Sequence, residues 1–283
     1  MNTLFNRTVE IDIGDPDSGE GVRITDLRVA FKVHKTKSSE ANTCEIQIYN
    51  LGEDTRNSIT KLDTICIVRA GYLEAGGPIE VFRGFVSEVT SQIKPPNKVV
   101  KITVDDGSVY LRDTKTTVSY EEGTSIKSVA SDLLDTFKAP KSIKDAVNNF
   151  TDKKFLNGLS FSGKSKDLMD QLARTSGVEW SIQNNEIKIL KENEPDSSFA
   201  KVLSPATGLV GSPERIDEND RKKKGIKGWK ITSLLMPTIQ IGNPVFIESK
   251  DIDNGSKFKV VDITHQGDTH EGDWVTSLQV QDI

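Results

Sequence analysis

Hydrophobic and polar positions alternate through residues 1–110. In Thr43-Cys44-Glu45-Ile46-Gln47-Ile48, the residues Cys44, Ile46 and Ile48 share one face, and Glu45 and Gln47 take the other. A period of two predicts a half-buried strand. The same pattern predicts strands over residues 9–13, 22–34, 64–72, 79–90 and 99–105. Turn signals punctuate them: Gly14-Asp15-Pro16-Asp17, Gly76-Gly77-Pro78 and Pro95-Pro96-Asn97. Antiparallel strands spaced in this way predict a sandwich or a barrel. A short helical turn is expected over residues 53–62, with Asp54 or Thr55 as its cap.

The period then changes. Ile126, Val129, Ala130, Leu133, Leu134 and Phe137 fall on one face of a helix, with Thr124 as the expected N-cap and Pro140 as the stop. A second helix carries the stripe Leu168, Met169 and Leu172, with Ser165 as cap and Gly177 just past its end. Val178, Trp180 and Ile182 alternate up to Asn184-Asn185, and Ile187 and Ile189 return. Two Asn residues tolerate positive φ, so this pattern predicts a hairpin with a tight primed turn. The stretch reads as a small α+β unit.

Strand patterns resume over residues 227–234, 244–249, 257–264 and 274–283. Residues 211–228, which contain Asp217, Glu218, Asp220, Arg221, Lys222, Lys223 and Lys224, are expected to form a long charged loop with nothing to contribute to a core. One echo links the two β-rich parts. Phe82-Arg83-Gly84-Phe85-Val86-Ser87-Glu88-Val89, a turn, and residues 99–105 resemble Phe258-Lys259-Val260-Val261-Asp262-Ile263, a turn, and residues 275–280. The echo permits two related β domains flanking the α+β unit.

Composition narrows the class. The 283 residues carry 37 Lys and Arg against 42 Asp and Glu, a net charge of −5. Overall acidity argues against a duplex nucleic-acid binder, which presents a basic face. No apolar run approaches the roughly 18 residues of a membrane span, so membrane integration is not expected. Met1-Asn2-Thr3-Leu4-Phe5-Asn6-Arg7 has no apolar run behind its Arg, so a secretory signal is not expected either. Cys44 and Cys66 are too few for a disulfide scaffold and sit in strand patterns. They read as buried reduced thiols, in keeping with assembly in a reducing cytoplasm.

Catalytic candidates are sparse. His265-Gln266-Gly267-Asp268-Thr269-His270 has the look of a metal or hydrolase site, but reads as a solvated polar turn between two strands or a contact for a partner. A metal would need three or four ligands fixed by strands and by supporting groups. Cys44 with His34 or His265 is a pair of residue types with no spacing that joins them. Glu121-Glu122 and Asp105-Asp106 are adjacent acids, which point to opposite faces of a strand. The chain has no nucleophile elbow, phosphate-binding loop, dinucleotide fingerprint or zinc-knuckle spacing. Arg221, Lys222, Lys223 and Lys224 could touch an acidic partner, though the preceding acids partly offset them. No enzymatic role and no cofactor are expected.

Several segments form one ordered series along nearly the whole chain. They are Ile24-Thr25-Asp26-Leu27-Arg28-Val29-Ala30-Phe31-Lys32-Val33, then Ile48-Tyr49-Asn50-Leu51, and Val81-Phe82-Arg83-Gly84-Phe85-Val86 leading to Asp105-Asp106-Gly107. Lys166-Asp167-Leu168-Met169-Asp170-Gln171-Leu172-Ala173 follows, with Gly177-Val178-Glu179-Trp180. The series closes with Thr207-Gly208-Leu209-Val210-Gly211-Ser212-Pro213, Ser233-Leu234-Leu235-Met236-Pro237, Ile241-Gly242-Asn243-Pro244-Val245 and Val261-Asp262-Ile263-Thr264-His265-Gln266-Gly267-Asp268.

Together these segments resemble the baseplate hub proteins of contractile-tailed phages, including the late-control-protein-D-like hubs. The resemblance implies a mainly β chain with a central α+β unit. Two tail-tube-like β-barrel domains, residues 1–115 and 196–283, would flank an α+β domain at 116–195. It implies a homotrimeric ring that adapts a sixfold tail tube to a threefold central spike, in the baseplate of a virion assembled in the host cytoplasm. Tail tube, spike, tape measure and other baseplate proteins would be its partners, with DNA passing through the lumen unbound. Partner contacts are expected at Arg221, Lys222, Lys223, Lys224, His265 and Asp268. Two alternatives remain: a tail-associated cell-wall hydrolase using His265, Asp268 and His270, and the hub of a tailocin or type VI-like injection device.

Overall fold

In the computed structural model, Cys44, Ile46 and Ile48 are fully buried, while Thr43 and Glu45 face outward. The alternation is therefore the inside and outside of a real strand. The structure describes residues 6–15, 18–59, 64–107, 114–137, 147–216, 227–252 and 256–283.

The first part of the chain builds β1 (Arg7–Gly14), β2 (Gly21–Ile24), β3 (Val29–Thr36), β4 (Thr43–Tyr49), a helical turn α1 (Glu53–Ser58), β5 (Ile65–Tyr72), β6 (Gly77–Lys94) and β7 (Asn97–Asp105). The expected strand over 22–34 is broken in two. Asp26 takes φ +59 and turns the chain between β2 and β3. The expected caps Asp54 and Thr55 lie inside α1, whose N-cap is Gly52.

The middle contains β8 (Lys115–Tyr120), α2 (Ile126–Thr136), β9 (Leu159–Lys164), α3 (Ser165–Ser176) and the hairpin β10 (Val178–Gln183) with β11 (Glu186–Lys191). The cap of α2 is Ser125, not Thr124. Its hydroxyl accepts the Ser128 N–H at 3.1 Å, a bond worth about 1 kcal/mol. Pro140 lies outside the described residues. Ser165 does not cap α3; it is the first helical residue and is buried, behind an extended Lys164. Gly177 ends α3 at φ 65, and Asn184 and Asn185 turn the hairpin at φ 53 and 67. Both were legible because only a few residue types accept that backbone. The pair β8 and β9, rich in Thr and Ser and only half covered, carries too weak a pattern to read from the chain.

The last part forms β12 (Lys201–Leu203), β13 (Leu209–Ile216), β14 (Gly228–Leu234), β15 (Pro244–Ile247), β16 (Lys257–Asp268) and β17 (Trp274–Asp282). The expected loop over 211–228 is corrected here. Its first six residues belong to β13, and Ile216 is buried in the sheet. Residues 217–226, with Arg221, Lys222, Lys223 and Lys224, lie outside the described residues.

Mainly β holds, but the pairings give one continuous sheet, not two separate barrels. Thirteen strands join, with the path β13-β14-β17-β16-β3-β4-β7-β6-β5-β1-β2 and β15 and β12 on a branch from β16. No closed barrel forms among the described residues. Three apolar clusters sit on this frame: one under β1–β7, one between the helices and the β10–β11 hairpin, and one under β12–β17. Trp274 and Leu235, from the last part of the chain, belong to the first cluster.

The hairpin echo extends to a repeat of five strands. β3, β4, β7, β6 and β5 are neighbours in that order, and so are β13, β14, β17, β16 and β15. Register matches as well as order. In the β6–β7 ladder Val86 faces Val104 and Glu88 faces Thr103, which leaves Ser87 bulged. In the β16–β17 ladder Val260 faces Val280 and Asp262 faces Gln279, which leaves Val261 bulged. Both bulges are anchored alike: the Val86 N–H donates to the Thr64 carbonyl at 2.9 Å, and the Val260 N–H to the Asn243 carbonyl at 3.0 Å. At the ends of the ladders, Asp106 N–H donates to Asn42 and Asp282 N–H to Lys227. A bulge repeated at the same step, with the same anchor, is a built feature of the fold.

Candidate functional site

The chemistry-bearing residues gather at two seams: the junction of the two repeats, and the place where the α+β unit docks on both.

At the junction β16 switches partners. Its first residues pair with β15, and from Asp262 to Asp268 it pairs with β3. Asp268 closes the seam. It accepts two bonds from Arg28, at 2.8 and 3.2 Å, and Arg28 also donates to Glu271 and stacks over Tyr49. Burial pushes the Asp268 carboxyl up, but the Arg28 donors and the His270 and Glu271 N–H groups outweigh it and hold it below the usual carboxylate range. The Val29 N–H donates to Thr269 Oγ1, and Arg7 donates to the Asp268 and Gly272 carbonyls. Trp274 packs edge-on to Phe31 at 5.6 Å and Tyr72 at 6.3 Å, locking the last strand onto the first repeat.

The histidine motif does not assemble a site. His265 through Asp268 are strand, not a solvated turn, because both β3 and β17 claim their backbone. His265 is 1% exposed, and its Nδ1 is 2.9 Å from Thr276 Oγ1. Burial, with Lys35 nearby, pushes its imidazole down to about 3. Asp268 lies three residues further along the strand and so faces the other way. His270 sits on the turn beside Thr269. Among the described residues no group of three or more His, Cys, Asp or Glu side chains is arranged to hold a metal. Cys44 and Cys66 are both buried free thiols, and burial raises both well above the ordinary thiol range.

The docking seam escaped the sequence reading. Asp106, fully buried, accepts the Asn42 N–H at 2.8 Å, the Asn42 amide at 2.9 Å and the Asn184 N–H at 3.0 Å. The Asn42 amide also donates to the Ile182 carbonyl, and Lys35 Nζ donates to Asn184 Oδ1 at 2.7 Å. Burial pushes Asp106 up to about 6 and Lys35 down to about 8. The turn that the two Asn residues make thus carries the polar atoms that fasten the unit to β3 and β7. On the other side Glu179 accepts from Lys259 at 2.7 Å and from Lys37 at 2.6 Å. Lys188 donates to Asp196 and to the Ile241 carbonyl, both at 2.6 Å. A cleft of about 780 Å³ lies beside this seam, lined by Lys35, Glu80, Arg83 and the β10–β11 turn. Arg83 and Glu80 pair with each other within it. The signal was present as Asn184-Asn185 and Asp106, but nothing local says that residues 78 positions apart will meet.

Comparison with known proteins agrees with this architecture. The family model for the baseplate hub gp41 matches residues 7–273. No curated protein matches in sequence. Among solved structures, the 43 kDa tail protein of prophage MuSo2 from Shewanella oneidensis is similar over 97% of this chain and 98% of its own, at 9% identity and a TM-score of 0.65. The tail protein from Neisseria meningitidis MC58 is similar over 98% and 97%, at 10% identity and a TM-score of 0.64. The E. coli c3393 protein, described as a component of the type VI secretion system, is similar over 91% of this chain and 74% of its own, at 8% identity and a TM-score of 0.60. At these identities the likeness is one of fold.

Proposed function

Because the chain belongs to the baseplate hub gp41 family, we propose that three copies close into a ring that forms the structural hub of a contractile phage tail. The five-strand repeat carries this reading. Each chain holds two similar β units, so three chains hold six. Such a ring meets a sixfold tail tube on one face and a threefold central spike on the other. A head-to-tail interface closes at three copies when its rotation is 120°. On this reading the two repeats are the tube-like domains, joined in one sheet rather than closed as separate barrels. The domain limits are 1–115, 116–195 and 196–283, and the α+β unit stands outside the ring wall.

The lumen passes the tape measure protein and then DNA. A net charge of −5 suits a channel that does not grip a polyanion. Arg221, Lys222, Lys223 and Lys224 contact an acidic neighbour in the baseplate. His265 and Asp268 act within the chain, as strand and seam residues. The role is structural and not enzymatic: the one histidine motif is split by burial and by strand polarity. Assembly in the host cytoplasm agrees with two buried free thiols.

The test has two parts. Native mass spectrometry of the chain, alone and with the candidate spike protein, is expected to give a species of three 31.2 kDa chains. Removal of the gene is expected to yield particles without joined tube and spike. Normal particles in its absence would overturn the reading.

A further inference from the structure

The two repeats are joined through one strand edge, and among the described residues the same edge has no strand partner at the equivalent place in the other repeat. Inside the chain, the distal part of β16 pairs antiparallel with β3: Thr264 faces His34, His265 faces Val33, Gln266 faces Lys32 and Asp268 faces Ala30. The repeat makes β6 the counterpart of β16, and β13 the counterpart of β3. β6 pairs with β5 only as far as Phe85. Beyond the Ser87 bulge, residues 88–94 have a strand partner on the β7 side alone among the described residues. β13 ends the path of the sheet, so among the described residues its edge away from β14 has no strand partner either. Open edges of this kind are templates for pairing with another chain.

We propose that residues 88–94 of β6 pair antiparallel with β13 of a neighbouring copy, in the register that β16 and β3 adopt within one chain. The ladders transfer that register residue by residue. Ser87 and Val261 are equivalent bulges, so Thr90, Ser91, Gln92 and Lys94 stand where Thr264, His265, Gln266 and Asp268 stand. Cys44 and Trp229 are equivalent through their partners Val104 and Val280. Arg215, which faces Trp229, therefore stands where Val33 faces Cys44; Glu214 takes the place of Lys32, and Val210 that of Ala30. Across the interface Ser91 faces Arg215, Gln92 faces Glu214, Thr90 faces Ile216 and Lys94 faces Val210.

The two edges are built to be selective. β13 carries a bulge between Val210 and Glu214, with Gly211 at φ 70 and Pro213, which has no N–H to offer. An edge interrupted in this way resists indiscriminate strand addition. It accepts a partner whose register places ladder residues on either side of the bulge. β6 offers an edge of that length without a further bulge, with Ser91, Gln92, Ile93 and Lys94 exposed. The contact is head-to-tail, because the two edges belong to different repeats and cannot pair with themselves by symmetry.

This pairing rests on the ring reading, and the experiment separates the two. Chains with one added surface cysteine beside the buried Cys44 and Cys66, Ser91→Cys with Arg215→Cys and Gln92→Cys with Glu214→Cys, are mixed in pairs and oxidised. This is done both as purified protein and in tail particles that incorporate them. Adjacent antiparallel pairs alternate between near and far Cβ spacing, so at least one of the two pairs is close enough to bridge. The control mixes Thr90→Cys with Val210→Cys, which is four residues out of register and roughly 13 Å too distant. The expected result is a two-chain band at least about ten times stronger for an in-register pair than for the control. A multimer by native mass with no in-register band, or with an equal control band, overturns the strand pairing and leaves the ring. A chain that is monomeric and absent from tail particles overturns the ring and the pairing together.

Discussion

Glu179 and Lys259 meet at 2.7 Å across the seam between the α+β unit and the second repeat, and Lys259 is wholly buried. The same carboxylate takes Lys37 from the first repeat at 2.6 Å. One acidic side chain therefore fastens the middle unit to both halves of the sheet. In the first repeat the position of Lys259 is held by Phe85, so the charge belongs to the docking and not to the repeated fold.

Removing Glu179 should expose the cost of that arrangement. Glu179→Gln leaves the buried Lys259 ammonium without its counter-charge, and the expected loss is about 3–5 kcal/mol. Adding Lys259→Met should recover much of it, because no buried charge is then left without its counter-charge. Chemical denaturation of the three chains measures both. A loss under about 1 kcal/mol for Glu179→Gln would show that the pair is not what holds the unit.

Asp106 offers a second measure of docking. Asp106→Ala strands the buried Asn42 N–H, at about 1–3 kcal/mol, and the half-buried Asn184 N–H at a smaller cost. Asp106→Asn keeps one acceptor oxygen and should cost less. Hydrogen exchange at the Asn184 amide distinguishes loosening of the hairpin from global loss. Protection that is unchanged in Asp106→Ala would count against the anchor.

Acid stability should carry a signature of His265. Its imidazole is held at about 3, far below the ordinary 6.5. As pH falls below 6.5 the unfolded chain binds a proton that the folded chain refuses. The stabilisation is therefore complete above 6.5 and is lost on the way down to about 3, at about 1.4 kcal/mol per pH unit. Asp106 works in the opposite direction: raised to about 6, it favours the folded state as pH falls through 6. The comparison that isolates His265 is wild type against His265→Asn between pH 6 and 4. The variant should fall less steeply; parallel curves would mean that the ring titrates freely.

Gly267 is required by its neighbour across the strand. A Cβ there would lie 2.3 Å from the Trp274 ring and 3.0 Å from Phe31. Gly267→Val should push Trp274 out of its place between Phe31 and Tyr72, at a cost of roughly 1–3 kcal/mol or more. Tryptophan fluorescence of the folded variant should shift to the red. An unshifted spectrum at unchanged stability would refute the packing argument.

The sequence alone determined what depends on near neighbours. Alternation specified most strands, because period two settles which side chains can reach a core. The stripe of Leu168, Met169 and Leu172, the Gly177 stop and the Asn184-Asn185 turn were legible because few residues satisfy those local geometries. The hairpin echo was legible too, since both hairpins keep the same spacing of apolar residues. Tertiary structure decided the rest. His265 looked like a turn residue until β3 paired with it from more than two hundred positions away. Residues 214–216 looked like loop until the edge of β14 paired with them. Asp106 and Asn184 stood out locally, but nothing near either of them, or near Asn42, told that they would meet. A backbone N–H or a carboxylate is the same group wherever it stands, and only the folded chain determines which distant partner removes it from water.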